Sequence, residues 1–290
     1  MLTFRPITLD DREAIHNYFY NATGHGSEYS FANLMAWGDQ RVCFIDGEPL
    51  ILSRFGTWHA YLFPLNRAHV ALLRDDAQER GIKLRFWGLT AQEAACMDER
   101  DYTVSPMRNS FDYVYEIERL CTLQGKKLQA KRNHCNRFTA ENPTWRTEPL
   151  TQERIGECQE FAARWFALHE AATGQTYEDE KRALARVFEH FAPLCAEGMI
   201  LYTGEQIVAF SIGNRIRNDM FDVNFEKALA DVHGAYPTIN RAFACHVHQT
   251  YPEVRLLNRE DDMGIEGLRK AKESYYPDLL LEKYLAEEIE

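Results

Sequence analysis

Two halves of the chain repeat one order of secondary-structure signals. RPITLDDR at Arg5 matches EPLTQER at Glu148, and FIDGEPLI at Phe44 matches LYTGEQIV at Leu201. In each half a strand precedes two helices, an antiparallel meander of three strands with a glycine turn, and then alternating helices and strands. Such self-similarity indicates an internal duplication. The sequence therefore predicts an α/β protein with two tandem domains, each a mixed, largely antiparallel sheet flanked by helices.

The boundary between the halves falls in a basic segment with a helical pattern, LCTLQGKKLQAKRNHCNRFT, which Gly125 is expected to interrupt. We predict a first domain over residues 1–117, a basic connecting helix over 118–144 and a second domain over 145–290. The matched glycine turns lie farther apart along the chain than the matched prolines. The two-helix region of the second half is therefore expected to be longer.

Charge and cysteine content limit the partners and the compartment. The net charge of −11 opposes long-range attraction to nucleic acid or anionic lipid, so such a partner requires a local basic patch. Seven cysteines without a C-x-x-C pair suit reduced thiols better than a disulfide framework. No apolar run approaches the roughly 20 residues of a membrane-spanning helix, and the N-terminus lacks a signal-peptide layout. We expect a soluble, cytoplasmic protein.

Several catalytic motifs are absent from the sequence. It contains no Gly-x-Ser-x-Gly elbow, no His-Glu-x-x-His and no P-loop, which argues against serine hydrolase, zincin and P-loop NTPase chemistry. His246 and His248 are two residues apart in a predicted helix and point away from each other, so we predict no metal site. No cysteine has the context of a nucleophile. For an enzyme, direct acyl transfer without a covalent intermediate fits best.

Three basic residues of the connecting segment are candidates for substrate binding. A continuous helix would place four apolar side chains on one face: Leu120, Leu128, Cys135 and Phe138. Lys131 lies in the middle of that face. We interpret Lys131, with Lys127 and Arg132, as facing a phosphate or carboxylate in a cleft between the domains. The alternative is a lysine that extends past an apolar rim or pairs with a buried carboxylate.

The predicted strand MFDVNFEK alternates apolar and polar residues, so one side enters a core and the other presents polar groups. Glu226 ends this strand, where α/β sheets commonly open into a ligand cleft, and is a candidate general base for an acceptor amine. A surface salt bridge is the alternative for Glu226, and a solvated face is the alternative for Asp222 and Asn224. Tyr236 and Asn240, near the next helix start, are candidates for binding an acyl donor, although Asn240 also suits a helix cap.

A second polar strand end follows in VRLLNRE. Asn258 and Glu260 continue the side of the strand that carries Val254 and Leu256, so this strand leads from a core into a cleft. We predict Glu260 as a second catalytic residue, and Asn258 and Lys272 as substrate-binding residues.

Three stretches carry a family resemblance: GKKLQAKRNHCNRF at Gly125, FEKALADVHGAYPTINRAFA at Phe225 and LNREDDMGIEGLRKAKESYYP at Leu257. With the repeated element order, they resemble a soluble family related to the C-terminal domain of phosphatidylglycerol lysyltransferase. That domain is a tandem GNAT unit akin to the Fem peptidoglycan aminoacyltransferases. One departure concerns the donor: DVHGAYPTIN has a single glycine where acetyl-CoA-using GNAT enzymes have a glycine-rich pyrophosphate loop.

The resemblance implies an acyl- or aminoacyltransferase that acts on a soluble amine acceptor in a cleft between the domains. We expect no permanently bound cofactor, with acyl-CoA or aminoacyl-tRNA as the donor, and a tRNA footprint only on the segment from Lys126 to Arg137. One alternative is a non-catalytic GNAT-like module that binds a small anionic metabolite. Another is a scaffold for a protein partner, which a polar cleft open to solvent would count against.

Overall fold

Two seven-stranded sheets, each flanked by helices, make up the computed structural model, which describes residues 1–289. The predicted fold class is thereby confirmed, whereas residue 290 of the predicted second domain lies outside the described range. The strands, in chain order, are β1 (Arg5–Pro6), β2 (Asp39–Ile45), β3 (Glu48–Phe55), β4 (Trp58–Leu62), β5 (Arg85–Leu89), β6 (Tyr102–Pro106), β7 (Asp112–Glu116), β8 (Trp145–Pro149), β9 (Glu197–Thr203), β10 (Gln206–Arg217), β11 (Met220–Ala228), β12 (Leu256–Asn258), β13 (Leu279–Leu281) and β14 (Tyr284–Glu288).

The helices cover both sheets. In chain order they are α1 (Arg12–Phe19), α2 (Phe31–Ala36), α3 (His69–Arg80), α4 (Ala91–Ala94), α5 (Ile117–Thr122), α6 (Gln129–Glu141), α7 (Ile155–Thr173), α8 (Glu178–Glu189), α9 (Ala235–Thr250) and α10 (Glu266–Glu273). Within residues 1–289 no helix is long and apolar enough to cross a membrane.

The strand orders of the two sheets correspond. The first sheet runs β1-β2-β3-β4-β5-β14-β6, and the second, from the matching edge, runs β8-β9-β10-β11-β12-β7-β13. In each sheet the fourth and fifth strands pair in parallel, as β4 with β5 and β11 with β12, and all other neighbours are antiparallel. Both meanders turn as predicted: Asp46 and Gly47 have positive φ between β2 and β3, and Gly204 has φ +57 after β9.

The two halves exchange their sixth strands. The early strand β7 lies in the second sheet between β12 and β13, and the last strand β14 lies in the first sheet between β5 and β6. The short segment LLLEKYL contains β13 and the start of β14, which lie in different sheets. Each sheet therefore contains strands from both halves of the chain, and the predicted domain bounds stay a prediction. The exchange ties the halves together, because each sheet needs backbone hydrogen bonds from the other half.

The connecting segment is two helices rather than one continuous helix. The chain turns between α5 and α6, where Leu123 has φ +50 and Gly125 has φ +85. Arg132 donates a hydrogen bond from Nη1 to the carbonyl of Leu123 and so holds this turn. The predicted apolar face is buried nonetheless: Leu120, Leu128, Cys135 and Phe138 all lie in the core.

Candidate active site

A cavity of about 950 Å³ lies between the two halves. The first half contributes the turn at Ser27–Tyr29, α2 and the ends of β3 and β4; the second contributes α7, α8, β11, the loop after β12, and α10. Ligand pockets commonly occupy such junctions and fall in this size range. The predicted cleft is thereby present and carries polar groups, which counts against the scaffold interpretation.

The wall of the cavity is largely aromatic. Four of the five tryptophans of the chain line it: Trp37, Trp58, Trp87 and Trp165. Trp37 stacks on Phe225 with ring centroids 5.9 Å apart. Phe55, Met263 and Ile265 also line the cavity and remain exposed. Aromatic and apolar side chains therefore surround a polar floor, an arrangement typical of small-molecule sites.

Glu260 occupies a fixed turn on this floor. It follows the end of β12 and has φ +55, a left-handed conformation that a non-glycine residue adopts only when its surroundings impose it. The side chain of Asn258 accepts a hydrogen bond from the backbone N–H of Glu260 at 2.8 Å. Lys272, reaching in from α10, donates to the carbonyls of Arg259 and Asp261 on either side. These contacts fix where the Glu260 carboxylate lies.

Two carboxylates and two carboxamides meet beneath the aromatic wall. Asn33 Nδ2 lies 3.0 Å from both Asp222 Oδ2 and Glu260 Oε1. Asn224 Nδ2 lies 3.1 Å and 3.2 Å from the same two oxygens. Asp222 is fully buried and is paired across the sheet with Asn214 of β10, next to a register shift between Ile212 and Gly213. The solvated face proposed as an alternative for this side of β11 is therefore wrong for Asp222.

A buried lysine joins segments from both ends of the chain next to this group. Lys283, between β13 and β14, contacts Glu28 Oε2 at 2.6 Å and Asp112 Oδ1 at 2.7 Å. Asp112 also accepts hydrogen bonds from the backbone of Ser27 at 2.8 Å and from Asn258 at 2.7 Å. Burial alone would lower the pKa of Lys283, but the two carboxylates hold it above its ordinary value.

Burial and like charge shift three pKa values on the floor. Burial, with the negative charge of Asp112, raises the pKa of Glu260 to about 7. Burial raises the pKa of Asp261 to about 6 and lowers the pKa of Lys272 to about 8. Groups that titrate near neutrality in a cleft are candidates for proton transfer. The position and raised pKa of Glu260 suit proton transfer, and its catalytic role stays a prediction.

Glu226, the other predicted catalytic residue, is also in the cavity but has both oxygens occupied. Oε1 contacts Arg259 Nη2 at 2.9 Å, and Oε2 accepts a hydrogen bond from Asn240 at 3.0 Å. Asn240 is buried behind Glu226 and supports it. Tyr236 lines the cavity, and burial raises its pKa to about 12, so it stays a neutral phenol. The catalytic and donor-binding roles of Glu226, Tyr236 and Asn240 stay predictions.

The other predicted binding residues are spread out. Asn258 is fully buried and Lys272 is nearly so, with their polar atoms turned to the Glu260 turn. Lys131 lies 4.2 Å from the ring centroid of Tyr275, beyond the cavity wall, and burial lowers its pKa. Lys127 is exposed in a separate groove of about 590 Å³, and Arg132 holds the turn before α6. Their roles as substrate-binding residues stay predictions.

Several residues at the site were not predicted from the sequence. They are Glu28, Asn33, Asp112, Asp222, Arg259, Lys283 and the tryptophans. The available signal was a charged residue inside an apolar strand, as Asp112 is in SFDYVYEI and Lys283 is in LLLEKYL. Among residues 1–289 no three His, Cys, Asp or Glu side chains form a group that could hold a metal ion, and the absence of a metal site stays a prediction.

Comparison with known proteins identifies the family. The profile described as "Phosphatidylglycerol lysyltransferase, C-terminal" matches residues 21–287, and the chain belongs to this family. The resemblance seen in the sequence is thereby confirmed. A conserved protein of unknown function from Bacteroides thetaiotaomicron is 35% identical, with 100% of each chain covered and a TM-score of 0.93.

More distant structures share the fold. L-PGS from Bacillus licheniformis is 17% identical, with 94% of this chain and 90% of that chain covered and a TM-score of 0.64. A tandem GNAT protein from the clavulanic acid biosynthesis pathway is 13% identical, with 99% and 98% covered and a TM-score of 0.52. At these identities the likeness concerns the fold alone, which is that of two GNAT-like domains in tandem.

One curated relative is longer than the matched region. An uncharacterized protein of Mycoplasmoides gallisepticum is 25% identical over 186 residues, which are 62% of this chain and 57% of that protein. The match therefore spans little more than half of the relative.

Proposed function

We propose that this protein is an acyl- or aminoacyltransferase that moves an acyl group from an activated ester to an amine in the cavity between its halves. The observation that carries the proposal is Glu260, a carboxylate fixed on a left-handed turn in the cavity with a pKa of about 7. A general base works best when its pKa lies near the operating pH. Membership of the lysyltransferase family supports transfer over binding alone.

In the proposed reaction the amine nitrogen attacks the carbonyl carbon of the donor and a C–N bond forms. Glu260 takes the proton that the nitrogen must lose. The bond between the carbonyl carbon and the leaving oxygen then breaks, and that oxygen receives the proton from Glu260, so the enzyme returns to its starting state. Holding both reactants in one cavity supplies much of the rate, because it makes the encounter effectively unimolecular.

The surroundings of α9 favour an aminoacyl ester over acyl-CoA as the donor. Gly234, at the start of α9, packs against α6 so closely that a Cβ there would lie 2.5 Å from the carbonyl oxygen of His134. A pyrophosphate needs free N–H groups and open space at this helix end, whereas the carbonyl oxygen is an acceptor. The helix start therefore does not fit a pyrophosphate cradle. Exposed Lys126 and Lys127 support a contact with tRNA phosphates.

The carboxylates of Glu260 and Asp261 at the cavity wall support an amine as the acceptor, because an amine approaches in its cationic form at neutral pH. That this amine is carried by a soluble molecule stays a prediction from the sequence. We expect Glu260 to remove the proton from the attacking nitrogen after the ammonium form has lost one proton to solvent.

Native mass spectrometry of the purified protein against a panel of aminoacyl-tRNAs and acyl-CoAs tests the proposal. We expect retention of an aminoacyl-tRNA and, on adding an amine panel, a product heavier than one amine by the aminoacyl residue. Retention of a small anion without transfer to any amine would favour the binding-module alternative. Retention of neither donor class would contradict the proposal.

A further inference from the structure

We propose that Asp222 and Glu260 share one proton at neutral pH, and that Asp222 is a positioning residue that sets the pH at which Glu260 becomes a base. This inference rests on the proposed function for its catalytic meaning, but the shared proton itself does not require that function.

The geometry of the two carboxamides brings the carboxylates together. The amide nitrogen of Asn33 faces Asp222 Oδ2 and Glu260 Oε1 at 3.0 Å each, so these oxygens cannot lie farther apart than twice that distance. The amide nitrogen of Asn224 faces the same two oxygens at 3.1 Å and 3.2 Å. Two N–H donors thus bridge one carboxylate to the other. Two ionised carboxylates at such a distance in a buried place repel each other strongly.

Asp222 has no cation to balance its charge. It is fully buried, it does not line the cavity, and its Oδ1 has no hydrogen-bond partner among residues 1–289. The nearby ammonium groups are engaged elsewhere: Lys283 with Glu28 and Asp112, and Lys272 with backbone carbonyls. A buried carboxylate without a cation is more stable when it is protonated.

The charged groups around the pair are mostly acidic. Three acidic groups face it: Asp112 from β7, Glu28 from the turn at Ser27–Tyr29, and Asp261 from the loop after β12. Two basic groups face it: Lys272 from α10 and Lys283 from the segment before β14. Burial and then the charge of Glu260 raise the pKa of Asp222 well above its ordinary value, and Lys283 offsets only part of this rise. Such pairs lose their protons in two separate steps, of which the first leaves one proton on the pair.

The chemical consequence is a division of roles. Glu260 lines the cavity and reaches the substrate, whereas Asp222 lies behind it and acts only through it. When Glu260 is ionised, the proton on the pair rests on Asp222. When Glu260 takes a proton from the substrate, the two carboxamides continue to hold both groups in place. Because Asp222 carries the proton when Glu260 is ionised, its loss would remove an O–H donor to the ionised Glu260 carboxylate, and Glu260 would then ionise at higher pH.

Infrared titration of carboxyl groups between pH 5 and pH 9 tests the shared proton without any substrate. We expect wild type to keep a protonated-carboxyl band at pH 7 that weakens as the pH rises. Glu260→Gln should move the Asp222 transition down by about one pH unit or more, which is the size of coupling that defines an interacting pair. Asp222→Asn should remove the carboxyl band that persists above the Glu260 transition and move the Glu260 transition up, so each variant tests the pair even if the other does not fold. Glu197→Gln, which alters a half-buried carboxylate bonded to His246, is the matched control and should leave the band unchanged.

The pH dependence of transfer then separates the two proposals. We expect the acid limb of the rate to shift to higher pH in Asp222→Asn by the same amount as the infrared transition, while Glu197→Gln keeps the wild-type profile. An unshifted infrared titration in both carboxyl variants would overturn the shared proton, even if transfer occurs. A shifted titration in a protein that transfers no acyl group would retain the pair and overturn the proposed function.

Discussion

The fourth strands of the two sheets, β4 and β11, occupy the same place in matching folds but carry different chemistry. β4 reads WHAYL, and it brings Trp58 to the cavity and buries Tyr61 and Leu62 in the core. β11 reads MFDVNFEKA, and it places Asp222, Asn224 and Glu226 on the side that faces the other half. The duplicated fold therefore persists with an apolar strand in one copy and a polar strand in the other.

The next strands differ in the same way at their ends. After β5, Thr90 and Glu93 form a capping box that starts α4, so the chain continues as an ordinary helix. After β12 the chain instead enters the left-handed turn at Glu260. The second half thus places Glu260 and Asp222 at the site, while the first half contributes three of the four cavity tryptophans and the carboxamide of Asn33. Neither half contains the whole site.

Replacing Lys283 should have the largest effect, because this residue joins the polar groups of both halves. In Lys283→Met the carboxylates of Glu28 and Asp112 stay buried without their cation, and we expect a loss of about 3–5 kcal/mol in the free energy of unfolding. Denaturant unfolding of wild type and variant measures this loss of free energy. Lys270→Met removes the exposed pair with Glu266 and should cost about 0.5 kcal/mol or less. Equal losses in the two variants would show that the buried contact does not hold the halves together.

Gly213 lets β10 pass close to the backbone of Asp222 in β11. A Cβ on Gly213 would lie 2.0 Å from the carbonyl oxygen of Asp222, and this backbone atom cannot move aside as a flexible side chain would. We expect Gly213→Ala to cost about 3 kcal/mol, at the upper end for overpacking. Gly267→Ala, in α10 with open space around it, should be neutral or slightly stabilising. A stable Gly213→Ala protein would mean that the polar strand does not depend on this close approach of β10.

The raised pKa of Glu260 should make stability depend on pH. The folded protein holds the proton up to about pH 7, whereas the unfolded chain releases it near pH 4.5, so this contribution is complete below pH 4.5 and is lost as the pH rises through 7. Glu260→Gln removes that loss. We expect the variant to gain stability over wild type between pH 5 and pH 8, on the order of 2 kcal/mol. A constant difference between the two proteins across this range would contradict the assigned pKa.

The smallest effect is expected at Glu226, which the sequence also proposed as a base. Glu226→Gln keeps one side-chain oxygen as a hydrogen-bond acceptor and removes the negative charge that pairs with Arg259. We expect transfer to slow about tenfold or less, equivalent to about 1.4 kcal/mol. Initial rates at saturating substrate measure it. Loss of all transfer in this variant, with affinity retained, would assign the base to Glu226 instead.

Local patterns were enough to predict the duplication and the meanders, because turn glycines and the alternation of strands depend only on residues that are close together in the sequence. They predicted Glu260 because it continues a buried strand side. They did not predict the exchange of β7 and β14, because strand pairing over more than 150 residues leaves no local mark. Lys283 and Asp112 were missed for the same reason: each looks like an exception in an apolar strand until the fold brings the two together. The sequence predicted a break at Gly125, but the prediction for Lys131 assumed a continuous helix. In the structure Lys131 instead lies against Tyr275, outside the cavity.

The central claim is that the base of the second half acts in a cavity completed by the first. Single-turnover transfer from an aminoacyl ester to an amine, compared between wild type and Glu260→Gln, tests it most directly. We expect the variant to bind the donor with near wild-type affinity and to transfer about 10²–10⁴ times more slowly, the usual contribution of a general base. Transfer at the wild-type rate in Glu260→Gln would contradict the account.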